Sequence, residues 1–486
     1  MKRYLSIIFM MFLLLLSCRI EDSHEVHEIN QLDIFYINDL HGALKPSESS
    51  IGIAYMAHMI EETKNDNSLG TLVFLGGDIL QGSLLSDLTY GKVTIDIMNE
   101  IGVDAMVIGN HEFDWGLETV TRYFDYGEEH RATFPLLGAN VFSKKTNSLP
   151  NGIDPYTIIE RGNLRIGVIG TIEYGIESTI MAKHIEDYTF KDPAPIVEDL
   201  SYYLRTEENV DIVILITHDR GTVNQRVVHF DENSRVDAIF NGHSHWVFTR
   251  FENQVPVMQS GGYGSHLGHM NLMLSDNKIT DIAMTNHTRE NQVLLSFPNF
   301  KVTNLLNEYD MLLGEDYFDP IIHVHESITQ ESLTYWIASL MAHTFKADIA
   351  LHNSGGTRRE LISNTVIDYE TLYEIWPFNN EIVTTMILGS DLKAFLNITQ
   401  WRDAYIGVDF IEDDELYRLV THDFIYYRNH YTFLRKQDNL NHKGIYLRDL
   451  AYHELQKQSL IYSNFSEANP FLLPYYYDSE FIELFD

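Results

Sequence analysis

The stretch TLVFLGGD, residues 71–78, is an apolar run that ends in two glycines and a carboxylate. Branched and aromatic side chains favour an extended strand. The two glycines then let the backbone turn tightly before Asp78. This stretch therefore predicts a buried strand that delivers an acidic side chain to its carboxyl end.

The same pattern, an apolar run that stops at polar residues, recurs on both sides of 71–78. The other runs are 32–38, 105–112, 164–171, 211–219 and 236–245. Helical spacing is found at 52–64 and 93–102, and late strands are expected at 256–264 and 269–285. Strands that alternate with helices predict an α/β domain. In such sheets, ligands gather beyond the carboxyl ends of the strands.

Polar clusters stand at or just beyond the ends of several runs. They are Asp39-Leu40-His41, Gly77-Asp78, Gly109-Asn110-His111-Glu112, Thr217-His218-Asp219 and Gly242-His243-Ser244-His245. Carboxylates, imidazoles and amides suit Zn, Mn or Fe. In an extended segment, residues i and i+2 share a face, so each Asp-x-His or His-x-His pair is expected to point one way. The clusters predict a site for two divalent metals that clamp a phosphoryl group, with Asp78 as the bridging ligand.

Charge restricts the partners. The chain has 486 residues and a formal net charge of -36, from 34 Lys+Arg against 70 Asp+Glu. This excess excludes nucleic acid as an expected partner, because phosphate backbones bind to basic surfaces. A small anionic substrate remains compatible, since bound metal ions can invert the local field.

The N-terminus predicts export. Lys2 and Arg3 precede an apolar run at 7–16, and the only cysteine follows at Cys18. This is the pattern of a secretory signal, here residues 1–17, and it is shorter than the ~20 residues of a membrane span. The end of the run resembles a bacterial lipobox, which implies a lipidated Cys18, a polar tether at 18–30, and a protein anchored to a bacterial membrane, facing the periplasm or the cell surface. An ordinary signal peptide with a chance cysteine is the alternative.

A second α/β unit is expected after the first. The predicted division is 31–297 for the first domain, 298–318 for a linker helix, 319–440 for the second domain, and 441–486 for an aromatic-rich tail without assigned structure. Within the second domain, a helix is expected at 331–345 and strands at 347–353 and 381–388.

These motifs resemble a known family. Ile37-Asn38-Asp39, the Gly-Gly-Asp, the sequence GNHEFDWG, Thr-His-Asp and GHSH resemble the calcineurin-like metallophosphoesterases. NSGGTR at 353–358 and PFNN at 377–380 resemble the C-terminal domain of 5'-nucleotidases. The resemblance covers about residues 32–435. It implies a four-layer α/β sandwich, a smaller α/β substrate-binding domain, and a helix about which the two can rotate.

The resemblance also implies roles for single residues. One metal would be held by Asp39, His41, Asp78 and His245, and the other by Asp78, Asn110, His218 and His243. His111 would contact the phosphoryl group, and Asp114 would orient and charge its imidazole.

For the substrate, the resemblance implies a base sandwiched by Phe378 and Phe424. Polar contacts would come from Asn353, Arg358 and Asn380. Either phenylalanine could instead be a plain core residue. Where the family has Gly-Gly-Asp-Gly-Tyr, residues 428–432 read Arg-Asn-His-Tyr-Thr. The aspartate that holds the ribose hydroxyls in the family is therefore missing, and residues 321–326 carry none of the further arginines that are often found there.

The leading functional prediction is an exported dimetal phosphohydrolase that removes phosphate from nucleotides or similar esters. Alternatives within enzymes are a cyclic-nucleotide phosphodiesterase, a nucleotide-sugar hydrolase, or a hydrolase of sulfur esters on a carrier. Outside enzymes, the chain could be a surface binding lipoprotein on a metallophosphoesterase scaffold.

Overall fold

The computed structural model describes residues 28–125, 127, 131–314, 316–399, 405–428, 431, 434–436 and 439–474. The predicted signal at 1–17, Cys18 and most of the tether lie outside the described residues, as does the end of the tail. Within the described part of the chain, no helix is long and apolar enough to cross a membrane.

The N-terminal unit alternates strands and helices, as the sequence predicts. Its strands are β1 (Gln31–Ile37), β2 (Thr71–Leu75), β3 (Ala105–Val107), β4 (Leu136–Leu137), β5 (Val141–Ser143), β6 (Tyr156–Arg161), β7 (Leu164–Ile172), β8 (Tyr188–Phe190), β9 (Ile212–His218), β10 (Ala238–Asn241), β11 (Val247–Glu252), β12 (Val255–Ser260), β13 (Leu267–Ser275) and β14 (Lys278–His287). Its helices are α1 (Ile53–Asp66), α2 (Leu84–Leu88), α3 (Lys92–Ile101), α4 (Leu117–Thr121), α5 (Pro193–Thr206) and α6 (Asn224–Val227).

Two six-stranded sheets form the centre of this unit. The first has the order β14-β13-β1-β2-β3-β4, and the second has the order β11-β12-β10-β9-β7-β6. Strands β1 to β4 run parallel to one another, as do β7, β9, β10 and β12. Parallel strands bring their carboxyl ends to one edge of a sheet, so the polar residues that follow them can meet there.

The sheets pack face to face through apolar side chains. Ile34 and Phe74 of the first sheet and Val168, Ile214 and Phe240 of the second are fully buried in one cluster. Each such side chain contributes about 1.5–3 kcal/mol by leaving water. This cluster is the shared core of the two sheets.

Helices cover the outer face of each sheet. Met56 of α1 and Met98 of α3 pack with Phe35 on one side, while Val197 of α5 packs with Val213 on the other. The order helix, sheet, sheet, helix confirms the predicted four-layer α/β sandwich.

Within the linker predicted at 298–318, the structure has helix α7 (Phe300–Leu313). Asn299 caps it, because its side chain accepts a hydrogen bond from the Val302 N–H at 3.0 Å. Helix α7 packs against α1 and α3 through Leu306 and Tyr309. It therefore adds to the helical layer of the N-terminal unit before the chain enters the next one.

A smaller α/β unit follows. Its strands are β15 (Ile322–Val324), β16 (Ile349–Ala350), β17 (Val366–Ile367), β18 (Glu381–Leu388), β19 (Tyr405–Ile406), β20 (Leu416–His422), β21 (Asn441–Tyr446) and β22 (Asn464–Phe465). Its helices are α8 (Gln330–Thr344), α9 (Tyr369–Ile375), α10 (Gly389–Thr399), α11 (Asp423–Tyr426) and α12 (Leu447–Ser459). A five-stranded sheet has the order β19-β16-β20-β18-β21, and a three-stranded sheet has the order β17-β15-β22.

Residues 441–474, to which the sequence analysis assigned no structure, are part of this unit. Strand β21 pairs with β18, and β22 pairs with β15. Helix α12 buries Leu450 and Leu455 in the same apolar cluster as Trp336 of α8. The described part of the aromatic-rich tail therefore supplies a strand, a helix and core side chains to the second unit.

Candidate active site

The polar clusters converge at one edge of the two sheets. Asp39 and Asp78 follow β1 and β2, and Asn110 follows β3 of the same sheet. His218 ends β9 and His243 follows β10 of the second sheet. Residues that are far apart in the sequence therefore meet because the strands before them are parallel neighbours.

Candidate metal ligands form three overlapping groups, each with ligand atoms within 4.8 Å of one another. The groups are Asp39 with His41 and His245, His41 with Asp78 and His111, and Asp78 with His218 and His243. Asp78 and His41 each belong to two of the groups. By distance alone His111 is also near enough to be a ligand.

Single distances show how closely these atoms approach. Asp78 Oδ2 lies 3.1 Å from His218 Nε2, and Asp39 Oδ1 lies 3.4 Å from His245 Nε2. Two ring nitrogens, Nε2 of His41 and Nε2 of His245, are 3.2 Å apart. Asn110 Oδ1 lies 3.2 Å from Nε2 of His218. So dense a set of buried donor atoms suits divalent cations, and the clusters can bind a metal.

Burial sets the protonation of the imidazoles. It lowers the pKa of His41 well below its ordinary value and that of His245 to about 3. Burial also acts to lower the pKa of His218, but the adjacent charge of Asp78 outweighs it and raises this pKa to about 10. Neutral rings at His41 and His245 leave lone pairs free for a metal, as ligation requires.

The backbone at the ligands is strained. Asp39, His41, Asp78, His243 and His245 have φ of 51°, 50°, 53°, 71° and 56°. Non-glycine residues in this left-handed region cost roughly 1–2 kcal/mol each. Such strain persists only where the surrounding structure imposes it, and it gathers at functional sites.

These angles correct one prediction. The paired ligands Asp39/His41 and His243/His245 were expected to point one way because they share a face of an extended segment. Both segments turn instead, as the positive φ values show. The side chains still converge, but tight turns beyond β1 and β10 bring them together.

Glu112 supports the site and was given no role from the sequence. Its fully buried carboxylate accepts the backbone N–H groups of Asp78, Ile79 and Gly109 at 2.9, 2.9 and 2.7 Å. It thereby ties the turn after β2 to the turn after β3. The signal was present in the sequence, because Glu112 directly follows His111 within GNHE.

Asn38 is a second support. Its side-chain N–H donates to Asp39 Oδ2 at 2.6 Å, and its Oδ1 accepts the Ser260 N–H at 2.9 Å. The ring of Tyr263, also unassigned by the sequence, stacks on His41 with centroids 4.9 Å apart. Asn38 therefore holds Asp39, and Tyr263 packs against His41.

His111 and Asp114 form the predicted pair. His111 Nδ1 lies 2.7 Å from Asp114 Oδ2, and His111 Nε2 lies 3.9 Å from Asp78 Oδ2. Burial acts to lower the pKa of His111, but the charges of Asp114 and Asp78 raise it above its ordinary value. The Asp114 carboxylate therefore favours the protonated form of the ring and holds it by its Nδ1.

A cleft of about 510 Å³ opens between the two units at this edge. The N-terminal wall contains Asp78, Asn110, His111, Asp114, His243 and His245, whereas Asp39, His41 and His218 do not line the cleft. The C-terminal wall contains Asn353, Arg358, Phe378, Asn380 and Phe424. Every residue predicted for substrate contact therefore lines the same cleft as four of the candidate metal ligands, Asp78, Asn110, His243 and His245.

Two side chains of the C-terminal wall reach the N-terminal wall. The Phe378 ring stacks on His111 with centroids 5.5 Å apart and an interplanar angle of 22°. Arg358 Nη2 lies 3.2 Å from His41 Nε2, and its guanidinium lies 5.8 Å from the Phe378 ring centroid. An aromatic ring and a cation thus stand directly against the metal-ligand set.

Buried Arg448 of α12 holds the loop that carries Phe378. It donates to Trp376 O and to Asn379 Oδ1, each at 2.9 Å. The segment around Lys183 also lines the cleft, which the sequence pattern did not reveal. Neither contribution follows from a motif, because both depend on how distant segments pack.

The fold and the site together define a two-domain phosphoesterase, and comparison with known proteins agrees. The calcineurin-like phosphoesterase family matches residues 32–247, and the 5'-nucleotidase C-terminal domain matches residues 321–412. The chain combines a metallophosphoesterase N-terminal domain with a 5'-nucleotidase C-terminal domain and is a metal-dependent phosphoester hydrolase.

Individual relatives are distant. The 5'-nucleotidase of Vibrio parahaemolyticus is 24% identical over 445 residues, which cover 79% of this chain and 78% of that protein. Endonuclease YhcR of Bacillus subtilis is 25% identical over 406 residues and 75% of this chain, but the chain spans only 32% of its length. The crystal structure of a 5'-nucleotidase precursor from Thermus thermophilus superposes with a TM-score of 0.77 at 19% identity, over 88% of this chain and 96% of that one. That likeness concerns the fold.

Proposed function

We propose that the protein is an exported phosphohydrolase that removes phosphate from nucleotides or similar phosphate esters. One observation carries the proposal. The Phe378 ring lies 5.5 Å from the ring of His111, and His111 belongs to the same ligand-atom group as Asp78. An aromatic surface suited to a base therefore stands beside a site suited to a phosphoryl group.

The proposed site holds two divalent ions, Zn, Mn or similar. Their ligands would be Asp39, His41, Asp78 and His245 for one ion, and Asp78, Asn110, His218 and His243 for the other. Bound there, the ions would supply a hydroxide nucleophile and neutralise charge on the phosphoryl group.

The remaining roles fall to groups of this chain. His111, charged by Asp114, stabilises the phosphoryl oxygens or protonates the leaving oxygen. Arg358 pairs with the phosphate, since a guanidinium matches phosphate geometry. Phe378 and Phe424 stack the base, and Asn353 and Asn380 bond its polar edge. Support for this assignment comes from the cleft, which all of these side chains line.

A substrate panel tests the proposal. The purified protein is stripped with a chelator, reloaded with Mn, Zn, Co or Mg, and given 5'-AMP, cyclic AMP, UDP-glucose or p-nitrophenyl phosphate. We expect phosphate release from 5'-AMP and two metal ions per chain by elemental analysis. Preferred cleavage of cyclic AMP or UDP-glucose would show that the substrate is a cyclic nucleotide or a nucleotide sugar instead. No turnover with any metal would favour a surface binding protein.

Export and anchoring are proposed from the sequence alone, because Cys18 lies outside the described residues. The cell-associated protein should begin at Cys18 and carry a lipid, whereas Cys18→Ala should lack that mass. An intact Met1, or equal masses for the two proteins, would contradict the anchor.

A further inference from the structure

Asp423 is a buried carboxylate on the C-terminal wall of the cleft. It begins α11 directly after β20, and only 4% of its surface is exposed. The next residue, Phe424, lines the same cleft. A carboxylate and an aromatic ring therefore stand side by side where the substrate's nucleoside is proposed to lie.

The two oxygens of Asp423 are used unequally. Oδ1 accepts the backbone N–H groups of Phe424 at 2.8 Å and Glu381 at 3.2 Å. Oδ2 faces Lys183 Nζ across the cleft at 3.7 Å, which is beyond hydrogen-bonding distance. Among the described residues, Oδ2 accepts no hydrogen bond. The backbone thus fixes the orientation of the carboxylate and leaves one oxygen directed at the cleft.

Such an oxygen needs a donor. An ionised carboxylate only accepts hydrogen bonds, at about four lone-pair positions. An acceptor on a mostly buried side chain is destabilised when no donor reaches it. Lys183 meets this need only in part, because its side chain is 56% exposed and a solvated ion pair is weak. A ligand that brings hydroxyl or amino donors can displace it.

We propose that Asp423 determines specificity by accepting hydrogen bonds from donor groups of the nucleoside part of the substrate. Lys183 is its partner when no substrate is present. The inference rests on the proposed function and goes beyond it, since residues 428–432 lack the aspartate of the family and the sequence predicts no replacement. The donors have two possible sources, the sugar hydroxyls and an amino group on the base.

Three substrates separate these sources. Wild type and Asp423→Asn are compared on 5'-AMP, on 2',3'-dideoxy-AMP, which lacks the sugar hydroxyls, and on purine riboside 5'-monophosphate, which lacks the amino group. For wild type we expect one analogue to fall about 10²-fold or more in kcat/KM, because a polar site rejects a ligand that leaves it unpaired. In Asp423→Asn that preference should shrink to less than about tenfold, because the amide replaces an acceptor with a donor.

The readout is the ratio of kcat/KM for 5'-AMP to kcat/KM for an analogue, measured on one enzyme preparation. A loss of folded protein lowers both values equally and cancels in this ratio. Asp414→Asn, an exposed carboxylate of the same unit, is the matched control and should keep the wild-type ratio. Equal ratios in wild type and Asp423→Asn would overturn the inference, as would a wild type indifferent to both analogues. If wild type hydrolyses none of the substrates and not even p-nitrophenyl phosphate, the proposed function fails instead.

Discussion

The turns that carry the candidate metal ligands and the C-terminal wall of the cleft differ in how their carboxylate and amide oxygens are paired. On the N-terminal wall, Asp78 accepts the His111 N–H at 2.8 Å, and its own N–H is held by Glu112. On the C-terminal wall, Asn353 Oδ1 is buried with no hydrogen-bond partner among the described residues, and Asp423 Oδ2 accepts none. The turn at Asp78 is thus held by hydrogen bonds, whereas Asn353 and Asp423 each keep an acceptor oxygen without a partner among the described residues.

This difference has a physical basis. Strained turns at the ligands are maintained because hydrogen bonds from neighbouring strands fix them. Substrate contacts gain affinity from groups that are left unpaired until the correct ligand arrives. Changes on the N-terminal wall should therefore lower kcat or metal affinity, and changes on the C-terminal wall should alter KM.

Asp78→Asn should have the largest effect. It removes the carboxylate shared by two ligand groups, and we expect a fall in kcat of at least roughly 10⁴-fold, as for a member of a catalytic unit. Elemental analysis and steady-state kinetics measure it, with circular dichroism to check the fold. Asp66→Asn, an exposed carboxylate of the same unit, is the control. Retained activity in Asp78→Asn would refute the bridge.

Asp114→Asn should act on chemistry without removing metal. The amide can no longer charge His111, whose Nδ1 it faces at 2.7 Å, so kcat should fall about 10²–10⁴-fold. Metal content should stay at the wild-type value, and Asp199→Asn should behave as wild type. Loss of metal together with activity would instead give Asp114 a structural role.

Glu112→Gln should weaken metal binding. The amide turns N–H groups toward the backbone donors of Asp78 and Gly109, so the turns that present the ligands loosen. Residues that orient ligands typically contribute 10–100-fold in metal affinity. Titration of metal against activity should show this shift, with kcat recovered at saturating metal. Glu62→Gln is the exposed control, and an unchanged titration curve would contradict the positioning role.

Phe378→Ala should give the smallest effect and should act on the nucleotide. Stacking of a base on a ring contributes about 1–3 kcal/mol, so KM for 5'-AMP should rise about tenfold more than KM for glycerol 2-phosphate. Phe410→Ala, an exposed ring of the same unit, is the control. Equal rises for both substrates would indicate that Phe378 serves packing against His111 alone.

Much of the N-terminal unit could be predicted from the sequence. The apolar runs at 32–38 and 211–219 are found as β1 and β9, since a strand buried on both faces must be apolar throughout. The run at 105–112 is a strand only as far as Val107, and His111 begins a short 3-10 helix. The sequence analysis placed the end of this strand too late, because the polar residues after Val107 leave the strand and turn toward the site.

The second unit was less predictable. The strand expected at 347–353 is confined to Ile349–Ala350, and residues after 440 carry structure that the pattern did not indicate. Short strands and buried polar side chains such as Arg448 leave no periodic signal. Their positions depend on partners that are distant in the sequence.

By itself, the sequence determined the α/β class, the order of the polar clusters and the chemical identity of the candidate ligands, because strand propensity and donor type are local properties. Only the tertiary structure decided that Glu112 ties two turns together, that Arg448 holds the Phe378 loop, and that Asp423 faces Lys183 across the cleft. These contacts join residues from separate strands, helices and domains. Packing creates such juxtapositions, and no local pattern records them.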